Sequence, residues 1–152
     1  MFENIYKDKR VLVTGHTGFK GSWLCAWLLD LGAKVAGYSV DVPTKPSHFE
    51  ALELSDRIEY IQGDVRNKSS LDAALSQFQP EIVFHLAAQS LVRKSYEDPI
   101  ITFETNSIGT LNLLNCLRNQ PSVVAAVLIT SDKCYENVEW LWGYRENDRL
   151  GG

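Results

Sequence analysis

No segment of the chain constrains its fold more tightly than residues 14–21, TGHTGFKG. The run before it, residues 9–14 (KRVLVT), has the aliphatic and β-branched density of a buried parallel strand. After it, Leu24, Trp27, Leu28 and Leu31 recur at helical spacing within residues 22–31, which predicts a helix laying one face on a sheet. Gly15, Gly18 and Gly21 fall at the turn between the two. There the backbone bends sharply, the helix must lie close to the strand, and the first N–H groups of the helix are open to an anion. The spacing is GxxGxxG rather than GxGxxG, so the glycines alone are a weak signal. The strand before and the helix after give the segment its reading as a grip for the diphosphate of a dinucleotide.

Strand and helix patterns alternate along the rest of the chain. Residues 34–39 (KVAGYS) and 57–62 (RIEYIQ) read as the second and third strands, joined by a loop through Pro43 and Pro46. Residues 67–78 predict an amphipathic helix with Leu71, Ala74, Leu75 and Phe78 on one face. Residues 81–88 (EIVFHLAA) form the near-continuous apolar run of a strand covered on both faces. A loop containing Pro99 leads into a long, largely buried helix over residues 101–117, and residues 123–130 (VVAAVLIT) predict the fifth strand. This order predicts an α/β fold, a Rossmann-like doubly wound parallel sheet with helices on both sides, in one domain over residues 1–152.

Composition excludes several function classes. With 45% hydrophobic residues in 152, the chain can bury a substantial core. A net charge of −4 and the lack of a dense Lys/Arg cluster argue against nucleic acid as a partner. No apolar stretch approaches a membrane span and MFENIYKDKR has no signal-peptide core, so no membrane partner and a cytoplasmic location are expected. Cys25, Cys116 and Cys134 lack metal-type spacing, and no metal is expected; the first two sit in helical patterns as buried thiols.

In such sheets ligands lie beyond the carboxyl ends of the strands. The first end is the glycine turn. At the second, an acidic residue that accepts hydrogen bonds from the adenosine ribose favours NAD over NADP. The usual place falls near Ser39, while Asp41 stands two residues later; no arginine follows to grip a 2′-phosphate, so NAD is preferred and NADP is not excluded. Asp41 also has a plain reading as a loop carboxylate. At the third end, Asp64 is placed to accept from an adenine amine or simply to fill a turn. At the fourth, the small residues Ala87 and Ala88 either let a cofactor lie against backbone or act as packing spacers. His85, inside an apolar strand, reads as a core histidine. The fifth end offers Ser131, Asp132 and Lys133, a hydroxyl, an acid and an amine beside the expected place of a nicotinamide ring, which is a proton-handling set.

TGHTGFKGSWL, GDV, HLAAQSLVRKSY, ETNSIGT and TSDKCYEN, followed by WGYREND and LGG, resemble the extended short-chain dehydrogenase/reductase superfamily (the NAD-dependent epimerase/dehydratase family) from about residue 8 onward. Within it they are most similar to the sugar-nucleotide dehydratases. Related dehydratases carry Thr-Asp-Glu after the fifth strand; a lysine at position 133 resembles the CDP-glucose branch instead. The resemblance implies a nucleotide-sugar substrate, CDP-glucose, and a place in deoxysugar and lipopolysaccharide biosynthesis. It also implies an internal redox cycle: hydride leaves C4 for NAD, the ketone acidifies the C5 proton, water leaves from C6, and hydride returns to C6. Ser131 would bond the C4 oxygen, Asp132 would protonate the departing hydroxyl, and Lys133 would help take the C5 proton. Asp132 must then be held protonated by desolvation, and Lys133 must be buried or lie near another cation. By the same carry-over Gly15, Gly18, Phe19, Gly21, Asp64, Val65, Leu86, Ala87, Ala88 and Thr105 contact the cofactor, and Gln89 and Ser90 face the sugar. Thr105 and Asn106 have an equally simple reading as helix-surface hydrogen-bonding residues.

The family also needs a YxxxK pair. Tyr6, Tyr38, Tyr60, Tyr96, Tyr135 and Tyr144 are followed at the fourth position by Arg, Val, Asp, Ile, Glu and Asp, so none supplies it. The resemblance places that pair, further strands and a substrate domain beyond residue 152, which makes residues 1–152 an incomplete NAD(P)-binding domain, inactive and prone to association alone. Relatives commonly pair through helices, so a homo-oligomer is implied at full length. An epimerase, a reductase and a non-catalytic dinucleotide-binding module remain the alternatives, with Asp132 and Lys133 speaking against the first two.

Overall fold

The computed structural model describes residues 2–151, apart from the side chain of Asp132. Five parallel strands form one sheet: β1 (Arg10–Thr14), β2 (Lys34–Ser39), β3 (Glu59–Gln62), β4 (Ile82–His85) and β5 (Ala125–Leu128), in the order β3-β2-β1-β4-β5. The chain winds outward one way from β1 to β3, then crosses back to β4 beside β1. That reversal makes the gap between the carboxyl ends of β1 and β4 the switch point of the sheet.

Each strand alternates its side chains between two helical layers. Val11 and Val13 of β1 join Cys25 and Leu28 of α1 (Phe19–Asp30) and Phe49 of α2 (His48–Ala51) in one core. Leu12, on the opposite face, joins Leu71 and Leu75 of α3 (Lys68–Phe78) and Leu113 of α6 (Gly109–Leu117) in the other. Asn67 caps α3 by accepting from Ser70 N–H. These residues bury the expected face of α3.

The structure corrects several expectations. The buried stripe of α1 is Gly21, Ser22, Cys25 and Leu28, whereas Trp27 is 48% exposed and meets the Phe2 ring edge-on. Small residues at 21, 22 and 25 let the helix settle closer to the sheet than an indole permits. The segment 99–117 is helical but not largely buried: α5 (Pro99–Phe103), a π-helical turn (Glu104–Ile108) and α6 bury only Gly109, Leu113 and Cys116. One face packs on α3, and Ile100, Phe103 and Leu111 point away from the sheet with more than half their surface exposed. Two further stretches read as loops are partly helical, α2 with the turn Leu54–Asp56, and α4 (Val92–Glu97) before Pro99. Strands β3, β4 and β5 are shorter than the expected runs: β3 starts two residues later, β4 ends at His85, and β5 is trimmed by two residues at each end.

Candidate active site

The glycine turn gives each glycine a distinct physical reason. Gly15 has φ +72°, and a Cβ there would lie 2.7 Å from the Ala87 backbone nitrogen, so β1 ends pressed against the loop after β4. A Cβ on Gly21 would overlap the Gly15 carbonyl oxygen, which makes Gly21 the close approach of helix to turn. Gly18 differs from both. Its φ of −70° suits any residue, and an added Cβ would meet nothing closer than Gly15 O at 3.3 Å. It is the N-cap of α1, and no side chain caps the helix there. Of the three glycines of the turn, Gly18 alone has side-chain space free of any contact under 3 Å, and it borders the first amide groups of the helix. That cradle and its donor set fit a diphosphate. Phe19, first in the helix, is 72% exposed beside it.

At the end of β2, Ser39 is buried and its hydroxyl pairs with His16 Nδ1 at 2.8 Å. His16 was not singled out in the sequence. Its ring fills the space that Gly37 vacates and packs edge-on against Phe49, burial lowers its pKa to about 4, and its Nε2 has no hydrogen-bond partner among the described residues. With Ser39 engaged inward, the exposed carboxylate at this end is Asp41, whose carbonyl oxygen accepts from Thr17 Oγ1 at 2.6 Å. The loop after β2 is thereby tied to the glycine turn.

At the end of β3, the Asp64 carboxylate accepts from Arg66 at four distances between 2.6 and 3.1 Å, from the backbone N–H, Nε and Nη2. The hydrogen bonds from Arg66 hold its carboxyl below the usual carboxylate range. The Tyr38 hydroxyl donates to the Asp64 carbonyl oxygen at 3.0 Å and so fixes the backbone of the same loop. The Val65 side chain is buried against Gly109 of α6, which leaves only its backbone to face a ligand.

Beyond β4, Leu86 and Ala87 are half-buried and Ala88 and Ser90 are exposed. Ala87 N–H donates to Thr14 Oγ1 at 3.2 Å, which closes the switch point. His85 is the core histidine expected of it: buried, bonded to Thr14 Oγ1 at 2.7 Å and Thr110 Oγ1 at 3.0 Å, with a pKa lowered by burial to about 4. Gln89 spends its side-chain amide on Leu91 in the loop and on Thr102 of α5. Asn106, in the π-helical turn, accepts from Gln89 N–H at 2.7 Å and donates to Gln89 O at 3.0 Å. This residue is a clamp on the loop rather than a plain surface group, and the extra residue per turn aims it there. Thr105 beside it is half-buried.

The fifth end carries Ser131 and Lys133, both exposed, with Lys133 N–H donating to Ser131 Oγ at 3.2 Å. Asp132 opens the short turn Asp132–Cys134, and its side chain lies outside the described residues. The burial that a base role asks of Lys133 is not met by this chain's described residues. A cleft of 550 Å³ adjoins this end, lined by Lys133, Tyr135, Asn137, Tyr144 and Arg149, with the Tyr135 and Tyr144 rings stacked 5.2 Å apart. A second cleft of 710 Å³, among Arg10, Lys34 and Arg57, lies at the amino ends of the strands, away from the glycine turn. Since β5 and β1 both flank β4, the strand that leads into the acid–amine segment runs about 10 Å from the strand that leads into the glycine turn, two strand spacings away.

Residues 12–149 match the family model described as GDP-mannose 4,6 dehydratase. The CDP-glucose 4,6-dehydratase of Salmonella typhimurium is 55% identical over 99% of this chain, which spans 42% of that protein. A UDP-glucose 4-epimerase of Mycolicibacterium smegmatis is 37% identical over 72% of the chain and 34% of its own length. Among solved structures, the Thermus thermophilus UDP-glucose 4-epimerase in complex with NAD superposes with a TM-score of 0.80 at 32% identity, covering 93% of this chain and 44% of that one. The chain therefore spans about two fifths of the length of the relatives it matches.

Proposed function

We propose, for a chain that belongs to the GDP-mannose 4,6-dehydratase family, that it is the cofactor-binding and acid–base portion of a nucleotide-sugar 4,6-dehydratase acting on CDP-glucose with NAD. The observation that carries the reading is the pairing of an open, uncapped helix start at Gly18 with Ser131-Asp132-Lys133 two strands away on the same edge of the sheet. Similarity to the Salmonella dehydratase supports the substrate, and the NAD complex of the Thermus epimerase supports the cofactor.

A bound nicotinamide cofactor supplies the acceptor and donor of hydride. This chain's residues bind the dinucleotide, hold the C4 oxygen and handle the protons of the elimination, while the base for the C4 hydroxyl is the tyrosine of a YxxxK pair that residues 1–152 do not contain. Amide groups at the start of α1 and the small residues Ala87 and Ala88 receive the diphosphate and the body of the dinucleotide, and Asp41 takes the ribose hydroxyls. Ser131 holds the C4 oxygen of the sugar. Asp132 gives a proton to the departing C6 hydroxyl, and Lys133 assists at the C5 proton once further protein surface buries it. An epimerase has no need of an acid at this place, which favours elimination. The decisive experiment replaces the matching 42% of the Salmonella enzyme with this chain. The chimera is expected to convert CDP-glucose to a 4-keto-6-deoxy sugar, and its Asp132→Asn variant to bind NAD yet fail at water loss. A chimera that folds and binds NAD but leaves CDP-glucose unchanged overturns the proposal.

A further inference from the structure

Arg66, which holds the Asp64 carboxylate, spends its guanidinium on two carboxylates at the carboxyl edge of the sheet. Its backbone N–H and Nε approach Asp64 Oδ1 at 2.9 and 3.1 Å, while Nε and Nη2 approach Oδ2 at 2.9 and 2.6 Å. Its Nη1 reaches Glu104 Oε2 at 3.6 Å, across to the π-helical turn that carries Thr105. Three donors on one carboxylate fix both its position and the direction of its remaining lone pairs, as a fork does and a single ammonium does not. From the other side Tyr38 fixes the Asp64 carbonyl. A surface turn needs no such restraint. With its charge spent on two carboxylates, Arg66 is also a poor grip for a 2′-phosphate.

We propose that Arg66 is a positioning residue that sets the Asp64 carboxylate as an acceptor for the 6-amino group of adenine, and so confers preference for an adenine dinucleotide. The inference rests on the cofactor reading above, and deepens it by assigning base selection to a pair of residues. It predicts a specific chemical discrimination. Hypoxanthine carries a carbonyl oxygen where adenine carries an amine, so a fixed carboxylate faces an acceptor and the contact becomes repulsive.

The test is a titration of the protein with NAD and with nicotinamide hypoxanthine dinucleotide. The unmodified protein is expected to favour NAD by about tenfold or more, the worth of one hydrogen bond to a charged group. Asp64→Asn, whose amide also donates, should bring the ratio to about one or reverse it. Arg66→Lys keeps the charge but not the fork, and should lower the ratio at least about fivefold while the melting temperature stays within a few degrees. If neither dinucleotide binds, the cofactor reading itself falls. If both bind but Asp64→Asn leaves the ratio unchanged, Asp64 does not read the base and the inference is overturned. If Asp64→Asn shifts the ratio and Arg66→Lys does not, Arg66 is a turn residue only, and the inference is again overturned.

Discussion

Gly18 and Gly21 are three residues apart with opposite duties, which substitution by alanine can separate. At Gly18 the backbone already has a φ of −70°, and a new methyl would find only Gly15 O at 3.3 Å. Losing a glycine N-cap costs a few tenths to about 1 kcal/mol, partly offset by a less disordered unfolded chain. Gly18→Ala should therefore leave stability within about 1 kcal/mol of the parent. At Gly21 the methyl would overlap the Gly15 carbonyl and stand 2.7 Å from His16 Cα, both backbone atoms that cannot swing away. Overpacking of that kind costs about 1–3 kcal/mol, and the upper end applies here. Binding should follow the reverse order for Gly18. Its methyl would stand where the diphosphate meets the helix amides, and displacing two such contacts at about 1.5–3 kcal/mol each weakens NAD by about a hundredfold or more. Denaturant melts and calorimetric titration with NAD measure the two effects. A Gly18→Ala protein that binds NAD within about threefold of the parent, or a Gly21→Ala protein of parental stability, would refute the assignment.

Three further outcomes are expected. His16 and His85 each fold with a pKa near 4 against 6.5 when unfolded, so the unfolded chain binds more protons between those values. Stability should be complete above about pH 6.5 and fall by roughly 4 kcal/mol on going to pH 5, which a denaturant series at several pH values would show and a flat profile would contradict. The edge strand β5 and the exposed Val124, Leu141 and Trp142 should make the 152-residue chain self-associate, so sedimentation as a clean monomer at high concentration would count against this reading. Because no tyrosine in the chain is followed by lysine at the fourth position, the 152 residues alone should not turn over CDP-glucose; product formation by them would show that the redox step has another base.

Much of the fold was legible because a parallel sheet writes itself as apolar runs: β2 coincides with residues 34–39, and α3 begins one residue after its Asn67 cap. What escaped was set by tertiary contact. The outward face of α1 could not be told from Trp27 alone, because indoles and leucines look alike to a periodicity count while the packing selects the small residues. The same holds for residues 99–117, where two or three apolar faces read as burial though only one meets α3. In the site, the glycines, Asp64 and the Ser131-Asp132-Lys133 run were visible as residue types at strand ends. His16 and Arg66 were not, and Asn106 was read only as a helix-surface hydrogen-bonding residue, since each acts on a neighbour through space: His16 on Ser39, Arg66 on Asp64 and Asn106 on Gln89. The signals that existed were Gly37, whose missing side chain makes room for His16, and an arginine two residues after a turn aspartate.

The central claim is that a dinucleotide lies across the carboxyl ends of β1 and β4. Hydrogen–deuterium exchange by mass spectrometry, with and without saturating NAD, reads this directly and tolerates an associating protein. Slowed exchange in peptides covering residues 15–22 and 86–90, with residues 54–60 at the amino edge unchanged, is the predicted pattern. Protection confined to the amino edge, or none at the glycine turn, would contradict it.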